Sequence, residues 1–472
     1  MVSVSHEFRR VPPPHASIGH WLPKDRAHIK QWLATKLEQL EKKQQLQLYK
    51  KIAITLDPSI VALKHLVDAS PNLTKLSREM FTQIPPAYKD DPTGQPQVRD
   101  FDTMLGLVDM ILKEGPQWFD IKDPPTAMGL IGFPINAILD WPMGTLAGYL
   151  FFMDSQVNKM WQGILDVWGA FLQSPASVSC LNENSGWLST DALNALAAKG
   201  NDGKTQYTFQ QLYACNPALP SFGFGSWDQF FTRKFNPGIR PVAFPDDQPT
   251  PEQPDPTQVI VNACESTPLQ FATDVKLRDT FWLKEQPYSL AEMLDNHPNT
   301  EQFVGGSVYQ AFLSALSYHC WHAPVSGTVV DIRHVPGSYY SENLSEGFAN
   351  PGSPDAAAPN NSQPYISAVA ARGIIFIQAD NPHIGLMAII FIGMAEVSSC
   401  EFTVQPGQHI DKGQAIGMFH FGGSTHCLVF RPETKLTAQS LVNPPPYDPD
   451  ASINLPVSSA LAVITPPAGS GD

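Results

Sequence analysis

The chain has 472 residues, 43% of them hydrophobic, and a formal net charge of −14. That length exceeds one ordinary domain and can bury a sizeable core. The acidic balance excludes nucleic acid and docking on an anionic membrane surface as expected partners.

The first 25 residues carry charges and prolines and no apolar run, so no secretory signal is expected. Ile29, Trp32, Leu33, Leu37, Leu40 and Leu46 recur at helical spacing on a charged background. Ile60–Val67 and Met104–Leu112 continue the helical pattern. Ala127–Met153 is mostly apolar, but Pro134, Asp140 and Pro142 interrupt it, which predicts two buried helices broken near Asp140 rather than a membrane span. From Leu146 to about Leu172 one longer helical stretch carries Phe151, Phe152, Trp161, Trp168 and Phe171. A core face suits this stripe better than the lining of a substrate channel.

Prolines crowd the segment from Pro241 to Thr257, which reads as an extended exposed loop. Beyond it the period shortens towards two, and Thr328–Val335, Gly373–Gln378 and Leu386–Ile392 read as strands. Residues 347–363 read as a surface loop, and the part beyond Pro444 as a proline-rich tail with an apolar patch at Leu461–Ile464. The expected fold class is α+β: a helical N-terminal domain over 1–220, a β-rich catalytic domain over 221–440 and a tail over 441–472. Cys180, Cys215, Cys264, Cys320, Cys400 and Cys427 form no CxxC pair, which suits free thiols in a reducing, cytoplasmic compartment.

Gly422-Gly423-Ser424-Thr425 follows a segment, Phe402–Phe421, that reads as two strands joined at a glycine-containing turn. A serine after two glycines at a strand end is sterically open. Its hydroxyl can attack the Gly423–Ser424 peptide bond, and elimination from the resulting ester leaves a pyruvoyl ketone at residue 424. Such a ketone takes up an amine as a Schiff base and draws electrons during decarboxylation. Taken alone, the tetrad is more often an ordinary turn.

The surrounding segments resemble the phosphatidylserine decarboxylase family. The likeness runs from Phe230-Phe-Thr-Arg-Lys-Phe-Asn-Pro-Gly-Ile-Arg-Pro241 through Tyr288-Ser-Leu290 and Phe312–Gly327. It continues through Val335-Pro-Gly-Ser-Tyr-Tyr-Ser341, Phe391-Ile-Gly-Met394 and Phe419–Thr425, in the family's order. The wording of Ala263-Cys-Glu-Ser266 and Phe391–Glu396 is similar to the fungal branch that includes soluble L-tryptophan decarboxylases.

The resemblance implies a self-cut between Gly423 and Ser424 and a pyruvoyl group made from Ser424, with no pyridoxal phosphate. In the Tyr318-His-Cys-Trp-His-Ala-Pro324 segment it implies His322 as the base for processing and His319 for proton handling during decarboxylation. A lone pair of histidines at this spacing is otherwise more often structural. Glu265 stands where the family commonly has aspartate; it would orient His322, or else be a strand-end acid. Tyr339 and Tyr340 replace residues that face the substrate and could stack on an aromatic side chain, or be surface tyrosines in a turn. His420 and His426 flank the cut, but strand alternation points His420 away, and no metal is assigned. The expected function is decarboxylation of an amino acid, L-tryptophan foremost, by a homodimer without a membrane span. The alternatives are a phosphatidylserine decarboxylase making phosphatidylethanolamine, or a binding subunit that does not process.

Overall fold

The computed structural model describes residues 27–51, 55–85, 98, 100–119, 134–279, 288–349, 361–396, 399–421, 424–446 and 452–465. Helices α1 (Ala27–Tyr49), α2 (Pro58–Ala69), α3 (Pro71–Thr82) and α4 (Phe101–Ile111) open the chain. Asp57, Ser70 and Asp100 cap α2, α3 and α4, each accepting a backbone N–H of the first turn. Most of the apolar stripe residues read from sequence face inward, with Leu33, Ile60, Leu63, Met104 and Val108 all buried, but Leu46 near the end of α1 is exposed.

The apolar stretch at 134–153 is indeed two helices, α5 (Pro134–Met143) and α6 (Leu146–Met153). The break falls at Gly144–Thr145 rather than at Asp140, because the Thr145 hydroxyl caps α6 through Gly148 N–H. Pro142 and Asp140 sit inside α5, where every residue is buried. Among the described residues no helix is long and apolar enough to cross a membrane. The aromatic stretch does not run on as one helix: Asp154 ends α6 and caps α7 (Ser155–Gln173) by accepting from Gln156 and Val157 N–H. Phe152, Trp161 and Trp168 are fully buried, and Trp168 and Trp161 touch rings of the β-rich half, as the core-face reading requires. Helices α8 (Thr190–Asn201), α9 (Phe209–Leu212) and α10 (Trp227–Phe231) lead into that half.

The β-rich half holds three sheets. The strands are β1 (Val259–Val261), β2 (Thr267–Thr273), β3 (Ser307–Leu313), β4 (Cys320–His322), β5 (Gly327–Val335), β6 (Arg372–Ala379), β7 (Leu386–Gly393), β8 (Ser399–Phe402), β9 (His409–Ile410), β10 (Ala415–His420), β11 (Ser424–Phe430) and β12 (Ala460–Val463). Seven form an antiparallel sheet in the order β2-β3-β11-β7-β6-β5-β9, and three more form β4-β10-β8. The small sheet lies on the large one: the Trp321 indole of β4 stacks on the Phe391 ring of β7 at 3.7 Å between centroids and 7° between planes.

Segment 402–421 holds two strands as read, β9 and β10, joined at a turn that contains Gly413 at positive φ. The segment read as a tail also joins the fold, because β12 pairs antiparallel with β1. Residues 350–360 of the predicted surface loop lie outside the described residues. Two further short helices, α11 (Leu290–Met293) and α12 (Gln363–Val369), pack beside the large sheet.

Candidate active site

Ser424 begins β11, between β3 and β7, and its backbone stands opposite Leu313 on one side and Gly393 on the other. Gly422, Gly423 and the Ser424 side chain lie outside the described residues. Just before them the chain leaves the small sheet at His420 and passes through Phe421, whose φ of +22° is rare for a residue with a side chain. Phe421 is held there by ring contacts to Trp168 at 5.1 Å, Phe231 at 5.6 Å and Trp227 at 5.7 Å.

His319 sits at the same end. Its carbonyl accepts the Phe419 N–H, and its fully buried imidazole stacks on Phe231 at 4.1 Å. Two contacts fix this corner. Arg233 donates to the carbonyls of Leu316 and Ser317, and its guanidinium lies 4.4 Å from the centre of the Tyr213 ring. His420 bridges two carboxylates, Asp228 of α10 through Nδ1 and Glu401 of β8 through Nε2, both at 2.8 Å. Burial works to lower the His420 pKa, but the bonds and charges of Asp228 and Glu401 outweigh it and hold the imidazole above its ordinary value.

His322 occupies the other end of β4, in register with Ala415. Its Nδ1 is 2.7 Å from the Gly413 carbonyl, which can only accept, so the proton sits on Nδ1. The other nitrogen, Nε2, is 3.1 Å from the Tyr318 hydroxyl and accepts from it. Burial depresses the His322 pKa, which keeps this imidazole neutral.

Glu265 is buried nearby, but its hydrogen bonds go elsewhere. Arg240 grips it through both Nε and Nη2, at 3.0 and 2.6 Å, while Asn454 and the Val457 N–H donate to its two oxygens. The orienting partner of His322 is thus the Gly413 carbonyl, and Glu265 acts on it only as a neighbouring charge. The structure therefore gathers Glu265, Tyr318 and His322 at one end of β4 and His319 with the approach to Ser424 at the other.

Tyr339 and Tyr340 are not free surface residues. The Tyr339 carbonyl accepts the Ala395 N–H, two residues past Gly393, and its own N–H donates to Asn158 of α7. Tyr340 is fully buried, with its ring 4.9 Å from Trp161 and 6.3 Å from Phe152. Next to them Glu396 accepts the N–H groups of Ile135 and Asn136, the first turn of α5, at 2.7 and 2.9 Å. Burial pushes the Glu396 carboxyl up to about 7.

Sequence reasoning missed Tyr318, Arg240, Asp228 and Glu396 as site residues. The signal for Arg240 was its place in the Phe230–Pro241 motif, and for Tyr318 its place beside His319. Among the described residues no three His, Cys, Asp or Glu side chains are grouped to hold a metal ion. His420 and His426 in particular are apart in role: the first is clamped by carboxylates, the second lies buried in β11 opposite Ala311 and Phe391.

Comparison with known proteins agrees with the order of these elements. The phosphatidylserine decarboxylase family model matches residues 227–444, and a second model of the same description matches 57–196. The chain is 41% identical over 314 residues to decarboxylase iboD of Amanita muscaria, covering 65% of this chain and 86% of that protein. It is 35% identical over 384 residues to an L-tryptophan decarboxylase of Psilocybe cubensis, covering 80% and 81%. A phosphatidylserine decarboxylase proenzyme of Schizosaccharomyces pombe is 27% identical over 214 residues, 45% of this chain and 20% of that protein. The strand that begins at Ser424, His322 in β4 with His319 just before it, and these matches together make the chain a carboxy-lyase of the phosphatidylserine decarboxylase family, in the branch with the fungal L-tryptophan decarboxylases.

Proposed function

We propose that this decarboxylase cuts itself between Gly423 and Ser424 and then removes CO2 from an aromatic L-amino acid, L-tryptophan first. The observation that carries the proposal is the start of a central strand at Ser424, straight after a Gly-Gly pair, with the His319 corner beside it. The positive φ of Phe421 and the absence of a side chain at Gly393 suit a compact group built from residue 424 itself. A pyruvoyl group there supplies an electron sink for the pair released when the carboxylate leaves. No pyridoxal phosphate is needed for the same chemistry.

The chain's own residues have the remaining tasks. His319 hands a proton to the substrate Cα after CO2 departs, a role suited to an imidazole held rigidly by Phe231. Phe421, Trp168 and Phe231 keep water from the reacting carbon. His322, neutral with its lone pair on Nε2, is the processing base that the family resemblance implies, with the Glu265 charge near it. The register favours a second reading of that step, because His319 and not His322 lies at the end of β4 that leads to Ser424. Tyr339 and Tyr340 belong to the side of the site that receives the substrate's side chain. The domain limits 1–220 and 221–440, with 441–472 returning to the second of these through β12, a homodimer and a cytoplasmic location complete the proposal; the six cysteines are all free thiols, which suits a reducing compartment.

The test is the intact mass of the wild type and of Ser424→Ala, followed by L-tryptophan, tyrosine, phenylalanine and serine supplied separately. A wild type cut after Gly423, an uncut and inactive variant, and an amine formed from tryptophan would support the proposal. Release of CO2 from phosphatidylserine, with all four amino acids untouched, would make the lipid reading correct. A single intact wild-type chain would make the protein a binding subunit.

A further inference from the structure

Glu396 is a carboxylate with two ends in different circumstances. Its Oε1 accepts both N–H groups at the start of α5, a ten-residue helix, and so takes the place of a cap. Its Oε2 is buried and, among the described residues, has no hydrogen-bond partner. The same is true of the Tyr340 hydroxyl and of Asn136 Oδ1, on residues that are 1% and 5% exposed. These atoms belong to one neighbourhood, since Asn136 donates its N–H to Glu396 and the Glu396 charge helps to raise the Tyr340 phenol, after burial. Leaving buried polar atoms unpaired is unfavourable, because each loses its bonds to water without replacing them. A core that only needed a cap for α5 would not require this one.

The position relates this group to the reaction. Glu396 follows Gly393 by three residues, and Gly393 is the register partner of Ser424. Three residues span at most about 11 Å, the scale on which a substrate joined at residue 424 would extend its side chain. Tyr340, Trp161 and Phe152 form an aromatic wall on this side.

We propose that Glu396 Oε2 accepts a hydrogen bond from a donor at the far end of the substrate's aromatic side chain, and so selects a ring that bears an N–H over one that does not. The inference rests on the amino-acid reading of the function. It makes Glu396 a specificity-determining residue whose ionised state offers an acceptor and no donor. Burial with a carboxyl pKa of about 7 confines that offer to the pH range where the group is ionised.

The experiment compares tryptophan, 1-methyl-tryptophan and phenylalanine with the wild type and with Glu396→Gln. The glutamine can still give its carbonyl to Ile135 and Asn136, but it then turns an NH2 donor towards the substrate. Wild-type kcat/KM should favour tryptophan over 1-methyl-tryptophan by at least about tenfold, since a site built to pair a polar group rejects the analogue lacking it. In Glu396→Gln that ratio should fall to within about threefold of one, and the tryptophan-to-phenylalanine ratio should fall with it. Cutting after Gly423 in the variant reports an intact fold. An unchanged ratio, or equal losses on all three substrates, would overturn the inference and leave the decarboxylase reading standing. If the glutamine variant fails to fold, a wild-type ratio near one overturns it alone. A wild type that consumes no amino acid would remove the functional reading and this inference together.

Discussion

The ring of Phe231 lies 4.1 Å from the imidazole of His319, at 23° to it, and the same phenylalanine meets Phe421 at 5.6 Å. One residue of α10 therefore fixes both the buried histidine and the last described side chain before Ser424. Replacing Phe231 by leucine keeps most of the volume, so stability should fall by less than about 1.5 kcal/mol. Turnover should fall more steeply, by about tenfold, because an imidazole free to rotate is badly placed for proton transfer. Urea unfolding and steady-state kinetics on one preparation separate the two effects.

The histidines at the two ends of β4, His319 just before it and His322 in it, should also separate. His322→Ala is expected to slow cutting, whereas His319→Ala should permit cutting and depress turnover by about 100-fold or more, the low end for a general acid or base. Cutting is followed by mass and turnover by amine release. The reversed pair of phenotypes would transfer the processing role to His319, the histidine nearer the turn into β11.

Arg240 and Glu265 form a buried, two-point ion pair, with side chains 11% and 1% exposed. Arg240→Met should destabilise the protein by about 3–5 kcal/mol, because Glu265 is left as a buried charge without its cation. The Arg240→Met, Glu265→Gln double variant should recover much of that loss. Denaturant midpoints for the two single variants and the double variant test this coupling.

Two histidines should bend the stability curve in opposite directions. His426 is buried, and burial lowers its pKa to about 3. The unfolded chain binds that proton near pH 6.5, so its contribution is intact above 6.5 and shrinks as pH falls towards 3. His322, also lowered by burial, acts in the same sense. His420 is raised, so its contribution is complete below about 6.5 and is lost as pH rises through the folded value. Melting temperature against pH for His426→Leu should show a flatter acid arm than the wild type. Asp228→Asn should flatten the alkaline arm instead.

Legibility in the sequence followed the range of the interactions. Strands β6 and β7 are apolar along nearly all their length because both faces are covered, and such runs are visible in a single chain. The helices of the first third were legible for the same local reason. The break at Thr145 is less legible, because Pro142 sits inside α5 without ending it and the stop depends on a capping threonine five residues beyond Asp140. Ser424, His319 and His322 were recognisable as motif residues, but their partners were not. Asp228 meets His420 across 192 residues, and Glu396 meets Ile135 across 261, so no local pattern announces either. Glu265 and Arg240 each stand in a motif segment, but their pairing across 25 residues is not visible in either.

The flanking of β11 has a consequence for the lifetime of the enzyme. A cut before Ser424 would leave residues 424–472 as a separate chain, yet β11 would stay hydrogen-bonded along both edges, and β12 would stay paired with β1. The matured protein would then be a complex of two fragments, and its unfolding would release them into solution. Reassembly would depend on concentration, because the peptide bond that once joined the two fragments is gone. Folding would thus be a single opportunity, taken before the cut. Afterwards the molecule would be protected by the slowness of its unfolding rather than by any ability to fold again.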